Sequence, residues 1–310
     1  VTADTVTVHA SAWGVQPLYY LQQGDSWLFC TSLARLVEAS SRALHADWDA
    51  WASIMVMRHP IGEQTPFEEI RRIRPGGSLH FGHGSTRPTR RVGIPESTEP
   101  LARRLSPMDV AETVSRVVGR AAARALGEAP DGSVTLMLSG GWDSRMLGGV
   151  LARRMPGDAV RALTTTTHRD GFDADVAFSR AVADRLGIEQ EVVDPEATSL
   201  PAYYRRAFRR VGYETAEHAW LEPAAALARS RRAPVFDGIA GDVLLKNRMA
   251  SPIAMRGRTH RERGTLLWQR MAGKTDPRAP LLSAELAHHI RDRAREAFRT
   301  EWDLVDGHPE

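Results

Sequence analysis

The period of the apolar positions changes several times along the chain, and each change marks an element. Thr5-Val6-Thr7-Val8-His9 alternates as a half-buried strand does. Leu18-Tyr19-Tyr20-Leu21 and Trp27-Leu28-Phe29-Cys30 flank Gly24-Asp25 and predict an antiparallel hairpin. Helical runs follow over residues 32–37 and 47–57, and the segment 65–79 ends in a turn and a short strand. Residues 82–100 are rich in Gly, Pro, Ser, Thr and Arg and predict a linker. A helix then opens with Ser106 as cap, Pro107 in its first turn and Asp109 three residues after the cap; Val110, Val114, Val117, Val118, Ala121 and Ala125 line one face as far as Gly127.

Beyond it the pattern is strand, helix, strand, helix, strand. Val134, Leu136, Met137 and Leu138 form a short apolar run, and residues 145–154 read as a helix. A strand over 159–165, a helix over 174–186 closed by Gly187 and a strand over 188–193 follow. Helices are predicted over 203–210 and 217–229, a fourth strand over 234–236 and an amphipathic helix over 283–302. This alternation implies an α/β fold with a parallel sheet and right-handed crossovers, which binds ligands at the carboxyl ends of its strands.

Ser139-Gly140-Gly141-Trp142-Asp143-Ser144 lies at that edge, between the first of these strands and its helix. Without side chains at Gly140 and Gly141, backbone N–H groups can approach a phosphate, and a helix beginning near Ser144 adds unpaired N–H groups and the positive end of its dipole. Ser139 and Ser144 can donate further hydrogen bonds. Asp143 would repel phosphate unless it holds a magnesium ion there. The loop is not a Walker A element, since no lysine precedes Lys246, and Met137 stands where a nucleophile elbow needs its first glycine. The plain alternative is a strand-to-helix turn with a serine cap.

Two other places deliver polar groups to the same edge. Thr164 to Thr167 suit a strand end that meets adenosine, while Asp170, Asp173 and Asp175 read as helix caps and a solvated turn, with contact to substrate or nucleotide as the alternative. The fourth strand runs into Asp237-Gly238-Ile239-Ala240-Gly241-Asp242, small residues and carboxylates that belong in the crevice.

Composition narrows the classes. The 310 residues, 42% hydrophobic and 25% charged, suit a folded chain with room for two domains. No apolar run reaches membrane-spanning length and no signal peptide is visible, so a cytoplasmic protein is expected. Cys30 is the single cysteine and the histidines lack HExxH spacing, which leaves carboxylates as metal ligands. The pI near 9.3 does not predict a nucleic-acid partner: net charge is only +3, and the arginines are scattered along amphipathic helices.

SGGxDS resembles the pyrophosphate loop of the PP-loop ATP pyrophosphatases, which split ATP to AMP and pyrophosphate. Upstream, Trp13-Gly14-Val15-Gln16-Pro17-Leu18-Tyr19-Tyr20, the hairpin and the segment from Thr65-Pro66-Phe67 to Pro75-Gly76 resemble the latter half of the glutaminase domain of asparagine synthetases. The segment holding Asp237 to Asp242 is similar to the S-G-x-G-x-D-E element of the same family. This resemblance implies a PP-loop (adenine nucleotide alpha hydrolase-like) synthetase domain over 105–310, a linker over 82–104, and over 1–81 part of an α+β glutaminase-type (Ntn) domain. It implies ATP bound by Leu138, Ser139, Gly140, Gly141, Asp143, Ser144, Thr164 and Gly238, with Mg²⁺ shared by the catalytic pair Asp143 and Asp242. The activity implied is formation of an amide from an adenylated carboxylate, on a small molecule or a peptide, by ammonia or an amine; a homodimer is compatible with it.

Asparagine formation is the default the resemblance implies, and departures leave room for a specialised relative. Val1 stands in place of the glutaminase's N-terminal cysteine, Val243 replaces a glutamate, and Ile239 occupies a position of acid–base chemistry that an isoleucine cannot perform. Lys246 and Lys274 do not match the context of the family's downstream lysine, so a fragment cut short at both ends is expected. Lasso peptide cyclases and β-lactam synthetases are such relatives. A PP-loop tRNA-modifying enzyme and a degenerate nucleotide-binding homologue are the competing readings.

Overall fold

The computed structural model describes residues 5–12, 14–81, 89–91, 106–127, 132–166, 173–215, 217–239, 256–272 and 282–305. The chain forms two compact units, each discontinuous in sequence: Val1–Ser97 with Ala207–Glu217 and Ala250–Glu310, and Thr98–Arg206 with His218–Met249.

In the first unit, β1 (Val6–His9), β5 (Ser78–Phe81) and β6 (Thr89–Arg91) form one antiparallel sheet in the order β1-β5-β6. β2 (Leu18–Gln23), β3 (Ser26–Cys30) and β4 (Ile70–Ile73) form another, in the order β3-β2-β4. β2 and β3 are the expected hairpin, whereas β4 falls in a stretch with no strand of its own in the sequence reading. The two-residue period of β2 sends its side chains to opposite faces. Tyr19 and Leu21 pack with Ile70 and with Leu33 and Leu36 of α1 (Leu33–Ala39). Tyr20 packs with Ile73 and Leu79, and with Trp27, Phe29 and Phe81 around them. Ala52, Val56 and Met57 of α2 (Trp48–Met57) make a third cluster with Trp268, Ala272 and Ala294.

The second unit is built on α3 (Pro107–Leu126), β7 (Val134–Met137), α4 (Trp142–Ala152), β8 (Val160–Thr165), α5 (Ala174–Leu186) and β9 (Glu189–Val193). After α6 (Leu200–Arg210) and α7 (Glu222–Ser230), β10 (Val235–Asp237) returns to lie beside β7. The sheet is parallel throughout, in the order β10-β7-β8-β9. Val134, Leu136, Val160 and Ala162 form a core with Ala122, Val150, Leu151 and Ala183 from α3, α4 and α5. Thr135 and Leu163, pointing the other way, are also fully buried, so β7 and β8 are covered on both faces.

Two helix starts differ from the sequence reading. α4 begins at Trp142, with Gly141 as its N-cap, so Asp143 and Ser144 belong to its first turn. α7 begins at Glu222 rather than near 217, because Pro223 fits only a first helical turn. Two further helices complete the described chain: α8 (His260–Ala272) and α9 (Ala284–Val305). α8 had no counterpart in the sequence reading, although Thr259 and Glu262 cap its start: Thr259 Oγ1 accepts from the Glu262 N–H at 3.1 Å, and Glu262 Oε2 accepts from the Arg258 N–H at 2.7 Å. Among the described residues no helix is long and apolar enough to cross a membrane.

Candidate active site

The site begins where β7 stops. Leu138 is buried, its N–H donates to the Leu163 carbonyl at 2.8 Å, and its own carbonyl accepts the Thr164 hydroxyl at 2.7 Å. Gln190 secures that hydroxyl, because its Nε2 donates to Thr164 Oγ1 and to Ser179 Oγ, both at 2.7 Å. Ser179 in turn donates to the Val176 carbonyl at 3.0 Å. The network ties the ends of β7 and β8 to α5 with its donors matched to acceptors, which fixes where the loop starts. Thr164 therefore serves the frame of the site, with its hydroxyl committed inside.

The loop is held by its own serines. The Ser139 N–H donates to Ser144 Oγ at 3.1 Å, and the Gly141 N–H donates to Ser139 Oγ at 3.1 Å. Ser144 Oγ reaches the Ser139 carbonyl at 3.1 Å, and its side chain is buried. The sequence reading has Ser144 donating to a ligand; the structure places its hydroxyl inside the loop, because the earlier start of α4 turns it toward the strand end.

Gly140 presents its N–H to an anion. Asp175 Oδ1 accepts it at 2.9 Å, from the first turn of α5. A Cβ at Gly140 would stand 2.8 Å from that oxygen and 3.2 Å from Phe178 Cβ, so no larger residue fits here without movement. The sequence reading does not contain this contact: it takes Asp170, Asp173 and Asp175 as caps and a solvated turn, with substrate or nucleotide as the alternative partner. Asp173 is such a cap, accepting from the Val176 N–H at 3.1 Å, and this frees Asp175 to reach across to the loop. The signal was the Asp-Ala-Asp spacing, in which one carboxylate is left over once the helix is capped.

α4 has no side chain capping its first turn, so its dipole and leading N–H groups face the same region as Gly140. Asp143 sits in that turn, where the dipole favours a negative side chain. Trp142 is exposed and carries the Arg145 guanidinium 4.5 Å from its ring centroid. Arg145 Nε also donates to the Gly141 carbonyl at 3.1 Å.

The end of β10 reaches the same place through Gly238. A Cβ there would stand 2.7 Å from Ser144 N and 3.0 Å from Asp143 C, so only glycine allows this strand end against the start of α4. Asp237 Oδ1 accepts the Ile239 N–H at 3.0 Å, and the Ile239 side chain is 72% exposed. The structure thus brings together Leu138, Ser139, Gly140, Gly141, Asp143, Ser144, Thr164 and Gly238. Asp242, with Asp170, Val243 and Lys246, lies outside the described residues. Among the described residues no group of three or more His, Cys, Asp or Glu could hold a metal ion.

A sequence profile described as asparagine synthase matches residues 113–302, well over half of the chain. The chain belongs to the asparagine synthase family. No curated protein matches it. Among solved structures it is similar to an NH3-dependent NAD synthetase from Campylobacter jejuni subsp. jejuni NCTC 11168, with 14% identity over 64% of this chain and 97% of that one, at a TM-score of 0.33. Membership of this family makes the protein a ligase in the broad sense and gives the loop after β7 its context.

Proposed function

We propose that this asparagine synthase family member is an ATP-dependent amide-forming ligase. In the proposed reaction a substrate carboxylate attacks the α-phosphate of ATP, pyrophosphate leaves, and an amine or ammonia displaces AMP to give the amide. The observation that carries the reading is the Gly140 N–H, which holds a carboxylate oxygen at 2.9 Å beside an uncapped helix start. Such a site suits the oxygens of a leaving pyrophosphate, whose charge would be met by donors already in place.

Gly140 and Gly141 would hold the phosphates, and Leu138, Thr164 and Gly238 would shape the floor for the nucleotide. Carboxylate oxygens suit magnesium, and Asp143 with Asp242 would hold it; the ion, when bound, would neutralise charge on the departing pyrophosphate. Asparagine formation is the family's default; the exposed Ile239 cannot move a proton, which leaves room for a specialised relative, of the kind that closes macrolactam or β-lactam rings. Residues 1–81 are proposed as part of a glutaminase-type domain and 105–310 as the synthetase domain, of which 207–217 and 250–310 cluster with the first compact unit.

Calorimetry of Mg-ATP with the wild-type chain, Asp143→Ala and Asp242→Ala tests this without knowledge of the carboxylate. Metal-dependent binding by the wild type, lost in both variants, is expected. A folded wild-type chain that binds neither ATP nor pyrophosphate would reduce the proposal to shared ancestry.

A further inference from the structure

A cavity of about 370 Å³ opens between α3, α4 and the end of β10. Val114, Val117 and Val118 of α3, Met146 and Leu147 of α4, and Ile239 form its apolar walls, and Asp143 and Asp237 stand at its rim. Asp143 also belongs to the first turn of α4, so the cavity adjoins the phosphate loop. Its walls are not sealed in a core: Val117 is 48% and Ile239 is 72% exposed, apolar surface that water meets and that an apolar ligand would cover.

The charge on the rim selects the kind of ligand. No lysine, arginine or histidine lies among the described lining residues, and two carboxylates do. A second carboxylate, such as that of aspartate, would be repelled by the two already there and would find only the Thr113 hydroxyl as a side-chain donor among the described lining residues. A cation with an aliphatic body would gain on both counts. Adenine is flat enough for such a space and its amino group can donate to a carboxylate, but as a neutral ring it gains less from two carboxylates than a cation does.

We infer that this cavity takes the body of an apolar primary amine, the acyl acceptor of the proposed ligase, with its nitrogen at the Asp143–Asp237 rim. The inference rests on the reading of the loop as a phosphate site. Ammonia would touch none of the walls, so their chemistry points to an organic amine. In the step assigned to it, the bound ammonium first gives up a proton through Asp237 to water, and the lone pair this frees attacks the carbonyl carbon of the acyl adenylate. The bond from that carbon to the AMP oxygen breaks, its electron pair leaving with AMP, and the nitrogen's second proton follows by the same route to water. Asp237 brings a second carboxylate to the cavity beside the one proposed for the metal.

The test uses isoamylamine as probe, against ammonium chloride and against isovalerate, a carboxylate of nearly the same shape, in ligand-observed NMR titrations near neutral pH. Calorimetry of Mg-pyrophosphate on the same samples reads the loop separately. Isoamylammonium is expected to bind at least about tenfold tighter than either control, about 1.4 kcal/mol. Asp237→Asn and Val117→Asn should each weaken it several-fold while leaving pyrophosphate binding within about twofold. Isovalerate binding as tightly as the amine, amine binding indifferent to both substitutions, or displacement of the amine by adenosine would overturn the inference. If pyrophosphate binds and no amine does, the inference alone fails; if pyrophosphate does not bind, the reading beneath it fails as well.

Discussion

Gly140 shows what a single missing Cβ permits, since the space that atom would need is taken by Asp175 Oδ1. Gly140→Ala is expected to weaken Mg-pyrophosphate at least about tenfold in calorimetry with only a small change in melting temperature, because the added methyl crowds an exposed loop rather than the core. Asp175→Asn should act in the opposite direction. The amide oxygen can still accept the Gly140 N–H, yet its charge no longer competes with phosphate, so pyrophosphate affinity should rise several-fold. A fall in affinity would show that the carboxylate is needed to shape the loop. The glycine pair was legible because SGGxDS is contiguous, but the Asp175 contact joins residues 35 positions apart. In the first unit Glu214 accepts the Tyr19 hydroxyl at 2.5 Å. Burial pushes the Glu214 carboxyl above its usual range, and burial with the nearby Glu214 charge pushes Tyr19 up as well. A carboxyl raised by folding contributes most to stability below its unfolded pKa, and that contribution is lost as pH rises through its folded value. Glu214→Gln should therefore raise the melting temperature at pH 8 and leave it nearly unchanged near pH 4.

Helices and strands carry a second set of expectations. Ser106 and Asp109 form a reciprocal capping box at the start of α3, with Ser106 Oγ accepting from the Asp109 N–H at 3.2 Å and Asp109 Oδ2 accepting from the Ser106 N–H at 3.0 Å. The box was readable from spacing, and Ser106→Ala should cost about 1 kcal/mol in denaturant unfolding. Hydrogen bonds from Ser106 hold the Asp109 carboxyl below its usual range, so this contribution is present above the ordinary carboxylate pKa and fades as pH falls. Leu136 is fully buried in β7, and Leu136→Ala should cost about 2–5 kcal/mol. Less was legible where several patterns overlap. No strand is legible at β4, because Ile70-Arg71-Arg72-Ile73 is too short to show a period. It is a strand because pairing with β2 satisfies its backbone and buries Ile70 and Ile73.

At the scale of the molecule, the C-terminal helix belongs with the N-terminal residues. Arg74 in the loop after β4 pairs with Glu301 of α9 through both guanidinium ends, one of them at 2.8 Å. Those bonds raise the Arg74 pKa, so the guanidinium keeps its charge. Arg293 Nε also donates to Asp49 Oδ1 of α2 at 2.6 Å. A chain ending at residue 282 would lose Ala294 and Phe298 from the cluster around Trp268 and Val56. Its first unit should then lose its cooperative thermal transition, followed by tryptophan fluorescence, while the parallel sheet keeps its own; two intact transitions would count against this packing. What the sequence by itself determined was local: the alternation of strands and helices in the second unit, the capping box, the SGGxDS loop and, through that loop and its neighbours, the family. Periodicity, turn chemistry and close backbone approach act within a few residues, so they are written into contiguous stretches. Only the tertiary structure decided that Asp175 meets Gly140, that Ser144 faces inward, that Ile239 and α3 share a cavity with Asp143, and that α9 closes on α2. Each of those depends on which distant surfaces bury one another, and burial is a property of the folded chain as a whole.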